Sequence, residues 1–175
     1  MQEAISPDSF QILAEISVGL IGFSGVVVAL GYSKLSGQEQ SLRLNLLFLS
    51  GATALWGGLT PTLAGFLSHG GGWVLSGVLF IPVLLGVNIY AWRNLYRLTR
   101  AGGLSTLPAI FYVVTPLTVF APLWVLYSLF LEHKQIAAAQ FFATTVILFL
   151  GVYHFYVLTV RGNGVDFKPD PEIRD

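Results

Sequence analysis

Glu15 is the side chain of this sequence best suited to chemistry, because it lies inside the apolar stretch AEISVGLIGFSGVVVALG, residues 14–31. A carboxylate in such a segment is costly, and intramembrane carboxylates commonly bind ions or exchange protons. At about 1.5 Å per residue, Glu15 lies about 9 Å from the middle of its segment, and Thr60, Thr62 and Thr144 fall within about 3 Å of that height. These four residues form a candidate ion or proton site. The alternative is an acidic group at the membrane boundary that water reaches easily.

A second polar pair, Asn88 and His154, is predicted about 6–9 Å on the other side of the midplane. If their helices are neighbours, a hydrogen bond between amide and imidazole would hold the two helices together. The same pair would alternatively relay protons or coordinate a cation. Further along, Arg93, Arg97 and Arg100 have i, i+4, i+7 spacing and form one basic stripe. We expect this stripe to contact lipid headgroups.

The sequence contains no arrangement typical of an enzyme active site. Ser24 lies in a GFSG tetrapeptide, but helical geometry directs it away from Glu15, and nothing in the pattern brings a base within reach of it. The chain has no cysteine and neither a G-x-x-x-x-G-K-[ST] nor an H-E-x-x-H motif. We therefore expect no catalytic residues, no metal and no cofactor.

The elements that must position these side chains are apolar helices of membrane length. Of the 175 residues, 54% are hydrophobic and only 10% are charged, which is too little charge to cover a soluble core. Crossing a bilayer takes about 20 apolar residues. Five segments reach this length: residues 10–32, 45–67, 73–92, 106–130 and 136–160. The sequence predicts an all-α, polytopic membrane helical bundle of five transmembrane helices, followed by a flexible tail at residues 161–175.

The distribution of basic residues predicts the orientation of this bundle. All but one of the nine Lys and Arg residues fall in the first and third connections or in the tail, and the exception is Lys134. Because cytoplasmic loops are enriched in Lys and Arg, these regions are assigned to the inner side. The N-terminus is therefore predicted outside and the C-terminal tail in the cytoplasm. The net charge of zero gives no reason to expect a nucleic-acid partner.

Glycines predict where the helices pack closely. Two segments each carry three of them at helical spacing: Gly19, Gly22 and Gly25 in the first, and Gly51, Gly58 and Gly65 in the second. Small residues let helix backbones approach each other in lipid, where close packing drives association. The first set shares a helical face with Glu15. We therefore expect Glu15 to point into a seam where another helix packs against these glycines.

The opening stretch, residues 14–31, together with the Lys- and Arg-containing loop after it, resembles the first helix of small multipass bacterial membrane proteins. This resemblance is confined to the first helix. It implies a multi-pass protein of the bacterial cytoplasmic (inner) membrane, and it implies no activity and no site residues.

Two functions from different classes fit these features. In the first, the chain forms homo-oligomers that provide a route for an ion, a proton or a small solute. Glu15 would then be the outer site, and Asn88 with His154 the inner site. In the second, the chain is a non-transporting assembly or regulatory subunit of a larger membrane complex. Its partners would then be membrane lipids and another membrane protein.

Overall fold

The computed structural model describes residues 7–30, 37–67, 72–101 and 109–161, and nearly all of these residues are helical. Five α-helices follow one another: α1 Pro7–Leu30, α2 Gly37–Leu67, α3 Gly72–Arg100, α4 Ala109–Phe130 and α5 Ile136–Tyr156. A short 3-10 helix, His133–Gln135, precedes α5, and a π-helical turn, Val157–Arg161, follows it. Beyond Arg161, the predicted tail lies outside the described residues.

Four of the helical segments are long and apolar enough to cross a membrane: Asp8–Val26, Gly37–Leu67, Gly72–Arg100 and His133–Thr159. In α4 the apolar helix found among the described residues, Pro116–Phe130, is shorter. The all-helical fold is therefore confirmed, and so is the membrane character of four helices. The crossing by α4 and the orientation of the termini stay predictions.

We name the end of the bundle where α2 begins and α3 ends the inner end, after the predicted orientation. At this end, both α2 and α3 are longer than predicted. α2 begins at residue 37 instead of 45, and α3 continues to residue 100 instead of 92. The additional residues are polar, which is typical of connections. In α2, however, Glu39 and Arg43 have the i, i+4 spacing of acid and base that stabilises a helix. The 31 residues of α2 span about 46 Å and the 29 of α3 about 43 Å, against about 30 Å of hydrocarbon.

The helices pack around a central pair, α2 and α5. α2 contacts α1, α3 and α5, and α5 also contacts α1, α3 and α4. At the outer end, Phe10 packs on Trp73 and on Phe141, with ring centroids 5.5 Å apart in both pairs. At the inner end, Phe23 packs on Phe155 at 5.9 Å. The starts of α1, α3 and α5 therefore lie at the same end, as expected for helices that alternate in direction.

The seam between α1 and α2 is built on two glycines of α2. A Cβ added to Gly58 would lie 2.8 Å from the Phe10 carbonyl oxygen and 2.9 Å from the Ala14 Cβ. One added to Gly51 would lie 2.7 Å from Ile21 Cγ1. The residues that α1 buries recur at helical spacing: Phe10, Leu13, Ala14, Ser17, Leu20 and Ser24. Side chains of α1 thus fill the groove that the glycines of α2 leave open.

Replacing Gly58 by alanine is expected to lower the stability of the protein, because the new methyl group would meet the main chain of α1. Over-packing of this kind costs about 1–3 kcal/mol. The matched control is Gly65→Ala on the same helix, where nothing lies within 4 Å of the position. Alanine there favours the helix by about 0.5–1 kcal/mol. Thermal unfolding in detergent measures both variants, and equal midpoints would contradict the packing described.

Candidate functional site

Glu15 lies on the exposed face of α1, where its carboxylate accepts a hydrogen bond from Gln11 Nε2 at 3.1 Å. Going round the helix, it is about 160° from Ser17, which lies at the centre of the face that packs on α2. The prediction that Glu15 points into a seam between helices is therefore wrong for the single chain. Its carboxylate points away from the bundle.

The three glycines of α1 also lie on the exposed side, and nothing is within 4 Å of a Cβ built at Gly19, Gly22 or Gly25. Among the described residues, no helix of the same chain packs against these three glycines or against Gly65, so packing of these positions against another chain stays a prediction. The physical reason is that two helices can approach closely when only one of them carries small residues at the contact. Gly51 and Gly58 of α2 provide these small residues, so α1 packs its larger side chains against them.

This exposed side of α1 forms a continuous strip, since its members repeat every three or four residues. We name it the α1 outer face, and it consists of Gln11, Glu15, Gly19, Gly22 and Val26. Its polar side chains are confined to one end, because only the first two members carry them. The remaining members present glycine backbone and one valine.

The threonines predicted to surround Glu15 lie elsewhere. Thr60 and Thr144 are buried and Thr62 is exposed. Within the described residues, no hydrogen bond joins Glu15 to any of the three, because Glu15 faces away from α2. The predicted four-residue site is therefore not assembled. Thr60 and Thr144 are instead bonded to Gln140, which the sequence analysis did not select.

Gln140 is completely buried on α5, and its side-chain amide binds α2 and α3 at once. Nε2 donates to Thr60 Oγ1 at 2.7 Å and to the Gly57 carbonyl at 3.1 Å. Oε1 accepts from Ser76 Oγ at 2.9 Å. Thr60 Oγ1 donates in turn to the Gly57 carbonyl at 3.2 Å. We name these four residues the Gln140 network, and every polar atom of the Gln140 side chain has a partner in it.

Pro61 explains why the Gly57 carbonyl needs these donors. A helical carbonyl normally accepts from the N–H four residues later, and proline has none. A buried carbonyl left without a partner costs about 1–3 kcal/mol. Glycine at position 57 also makes room, since a Cβ there would lie 2.5 Å from Thr144 Oγ1 and 2.7 Å from the Phe80 ring. The missing N–H and the missing side chain together admit the Gln140 amide.

The inner polar pair, Asn88 and His154, is buried but not joined by a hydrogen bond. Asn88 Nδ2 donates to the Leu84 carbonyl of its own helix at 2.9 Å. His154 Nδ1 has no hydrogen-bond partner in the part of the chain that the structure describes. The predicted pair is therefore not formed.

A buried ion pair, not predicted from the sequence, lies in the first turns of α2. Arg43 Nε and Nη2 donate to Glu39 Oε1 at 2.8 and 2.6 Å. The side chains are 3% (Arg43) and 2% (Glu39) exposed. Their i, i+4 spacing, acid before base, was the available signal that α2 begins earlier than predicted. We name Glu39 and Arg43 the inner charged cluster.

The three arginines of the basic stripe of α3 lie on the surface: Arg93, Arg97 and Arg100. The guanidinium carbon of Arg100 lies 5.0 Å from the centroid of the Tyr96 ring. All three residues belong to the part of α3 that exceeds the hydrocarbon thickness. Contact with lipid headgroups stays a prediction, and the position of the stripe suits it.

Most polar groups inside the described bundle are engaged in hydrogen bonds. Among the described residues, the buried side-chain nitrogens and oxygens all have hydrogen-bond partners, except Ser128 Oγ and His154 Nδ1. The described residues contain no group of three or more His, Asp or Glu side chains that could hold a metal ion. Polar groups that could act on another molecule therefore lie mainly on the surface.

Comparison of the chain with family models, with curated proteins and with solved structures gives no match in any of the three. Only the geometry of the chain itself therefore bears on its function.

Replacing Gln140 by leucine is expected to destabilise the protein by about 1–3 kcal/mol, because the buried Ser76 hydroxyl loses its acceptor and the Gly57 carbonyl keeps only the Thr60 hydroxyl as a donor. In a Pro61→Ala background the same replacement should cost less, since the alanine supplies the N–H that proline lacks. Thermal unfolding of the two single variants and the double variant gives this coupling. Thr145→Val is the control, because Thr145 is exposed on the same helix and bonds only its own helix, at the Phe141 carbonyl. Strictly additive losses would contradict the role given to Pro61.

Replacing Glu39 by glutamine is expected to destabilise the protein by about 3–5 kcal/mol, because it removes the negative charge that accepts two hydrogen bonds from the buried Arg43 guanidinium. Adding Arg43→Met should recover much of this loss, since the buried positive charge is then removed as well. Glu132→Gln is the control, with an expected change of about 0.5 kcal/mol or less. Unfolding in detergent measures all three proteins. A double variant less stable than Glu39→Gln would argue against the charge explanation.

Proposed function

We propose that this protein is a membrane interaction subunit, which associates with a second copy of itself through the α1 outer face. The observation that carries the proposal is the exposed Glu15 carboxylate on an apolar helix of membrane length. Exposing an ionised carboxylate to hydrocarbon costs about 2–3 kcal/mol even on lenient scales. A helix that covers this face removes the carboxylate from lipid.

The remainder of the α1 outer face suits such a contact. The open positions at Gly19 and Gly22 let another backbone approach closely, as small residues do at helix interfaces in lipid. In a pair of α1 helices, the Gln11 amide of one copy would donate to the Glu15 carboxylate of the other. Hydrogen bonds of this kind between membrane helices contribute about 0.6–2 kcal/mol each.

A non-transporting role agrees best with where the polar groups lie. Nearly all buried polar atoms of the described residues already have hydrogen-bond partners, which leaves few of them to line a route for a solute within one chain. Along the α1 outer face, polar side chains occur at Gln11 and Glu15 and then stop. The proposal places the protein in a bacterial cytoplasmic membrane with the N-terminus outside, on the basis of the basic-residue distribution and the resemblance of the first helix.

A route for protons or cations is the second candidate, and Glu15 is the observation that favours it. A ring of copies that met along α1 would bring several Glu15 carboxylates to a common axis. Rings of acidic side chains are a recurrent device for cation selectivity. The glycines below Glu15 would then contribute backbone to the wall of the route.

Replacing Gly22 by leucine is expected to weaken self-association about tenfold or more, because the side chain would hold the α1 backbones apart. Energy transfer between labelled copies in liposomes, measured at increasing dilution, gives the dissociation constant. Gly65→Leu is the matched control, since nothing lies within 4 Å of either glycine in the single chain. Neither variant should therefore alter the fold.

The outcomes separate the candidates. A wild type that remains monomeric and copurifies with a different membrane protein would replace the second copy by that partner. Self-association that Gly22→Leu leaves unchanged would exclude the α1 outer face. The second candidate requires an ion or proton flux in proteoliposomes that Glu15→Gln reduces. Wild-type liposomes that stay impermeable across a panel of ions and pH gradients would eliminate it.

A further inference from the structure

A surface groove runs between α2 and α3 at the inner end, on a different side of α2 from the glycines that contact α1. Its first part has a volume of about 520 Å³. Most of the side chains around it carry hydrogen-bonding groups, and they include Gln38, Ser41, Asn45, Tyr90, Asn94 and Arg97. This polar part of the groove lies against the first two turns of α2 and the last three turns of α3.

A second, apolar part with a volume of about 480 Å³ continues the groove towards the membrane interior. Asn45 and Tyr90 line both parts, so the two are continuous. The other residues of the second part carry no polar side chain: Phe48, Leu49, Gly86 and Val87. The groove therefore changes from polar to apolar along its length.

We propose that this α2–α3 groove is a binding site for one anionic phospholipid. Its phosphate lies at Arg97 in the polar part, and one acyl chain lies along Gly86 in the apolar part. Nothing in the proposal depends on association through α1, because the groove and the α1 outer face involve different residues.

Charge supports an anionic headgroup. Among the described residues that line the polar part, Arg97 is the only charged one and none is acidic. In the part of the chain that the structure describes, Arg97 has no ion pair, so its guanidinium is available to a phosphate. Arginine presents donors in a planar fork that matches phosphate oxygens. Asn94 uses one amide hydrogen on the Tyr90 carbonyl, at 2.8 Å, and keeps the other.

Depth supports a lipid in preference to a free anion. Counting about 30 Å of hydrocarbon from the outer ends of α2 and α3 puts the inner boundary near Phe48 and just past Tyr90. The apolar part of the groove then lies in the hydrocarbon, and Arg97 lies at the height of the headgroups. Tyrosine is enriched at this boundary. A free phosphate would contact only the polar part of the groove.

Gly86 keeps the apolar part open. Nothing lies within 4 Å of a Cβ built at this position. A larger side chain there would fill the groove without displacing any other residue of the chain. Glycine is unfavourable inside a helix by about 1 kcal/mol relative to alanine. Its presence here is explained if the space it leaves is occupied by an acyl chain.

Native mass spectrometry of the full-length protein in detergent tests the proposal. The added probes are phosphatidylglycerol, phosphatidylcholine and soluble glycerol phosphate, in separate titrations. We expect wild type to bind one phosphatidylglycerol more tightly than phosphatidylcholine, and glycerol phosphate weakly. Arg97→Gln should lose about tenfold in phosphatidylglycerol affinity, as for one charge-assisted contact, with phosphatidylcholine affected less. Gly86→Leu should weaken both lipids.

Two control variants give the proposal its specificity. Arg100→Gln removes a neighbouring charge that does not line the groove, and Gly65→Leu adds a side chain at an open position of α2. Both should bind phosphatidylglycerol as wild type does. Equal losses in Arg97→Gln and Arg100→Gln would show general attraction to anionic lipid and overturn the site. Glycerol phosphate bound as tightly as the lipid, or Gly86→Leu without effect, would overturn the acyl part.

A second measurement requires no variant. Phosphatidylglycerol with a photoactivatable diazirine in one acyl chain is mixed with wild-type protein, irradiated, and the labelled residues are identified by mass spectrometry. Saturable labelling at Phe48, Leu49 or Val87 is expected. Saturable labelling confined to other helices would overturn the proposal, as would labelling that never saturates.

Discussion

The backbone carbonyl of Gly57 is the group on which the centre of this bundle depends. Pro61 removes its helical partner, and in an apolar interior other donors must replace the missing N–H. Gln140 supplies that donor from α5, while Ser76 of α3 binds the other end of the same amide. A shift of α5 by one turn, about 5.4 Å, would break these bonds together. One amide therefore sets the register of three helices.

The same register divides the surface of α2 among its neighbours. Gly57 faces α5, and the close contacts at Gly51 and Gly58 face α1. The Gln140 network lies in the interior of the bundle, and its polar groups bind one another and so hold the helices together. Side chains that are available to other molecules lie outside, with Glu15 on one surface and Arg97 on another. Polar groups that could bind another molecule therefore lie on the outer surfaces of the helices.

Sequence reasoning reached the helical class and four of the five membrane-type segments. It failed on Glu15 because helical spacing shows which residues share a face, but not which face meets a neighbour. Two helices carry glycines, and one smooth surface is enough. Gln140 was overlooked because it follows a polar connection, where a polar residue needs no special explanation. The missing N–H of Pro61 was a better signal, since it requires a donor at the height of Gly57.

At the inner end the surroundings of the helices are polar, because α2 and α3 continue about 13–16 Å beyond the hydrocarbon thickness. At that height water and headgroups are close, so a charged pair costs less to hold than it would at the midplane. The bonds between Arg43 and Glu39 join the first two turns of α2. Gln38 and Ser41 belong to these turns and line the polar part of the groove. The inner charged cluster therefore holds one wall of the groove in place, and the opposite wall, bearing Arg97, is supplied by the extension of α3.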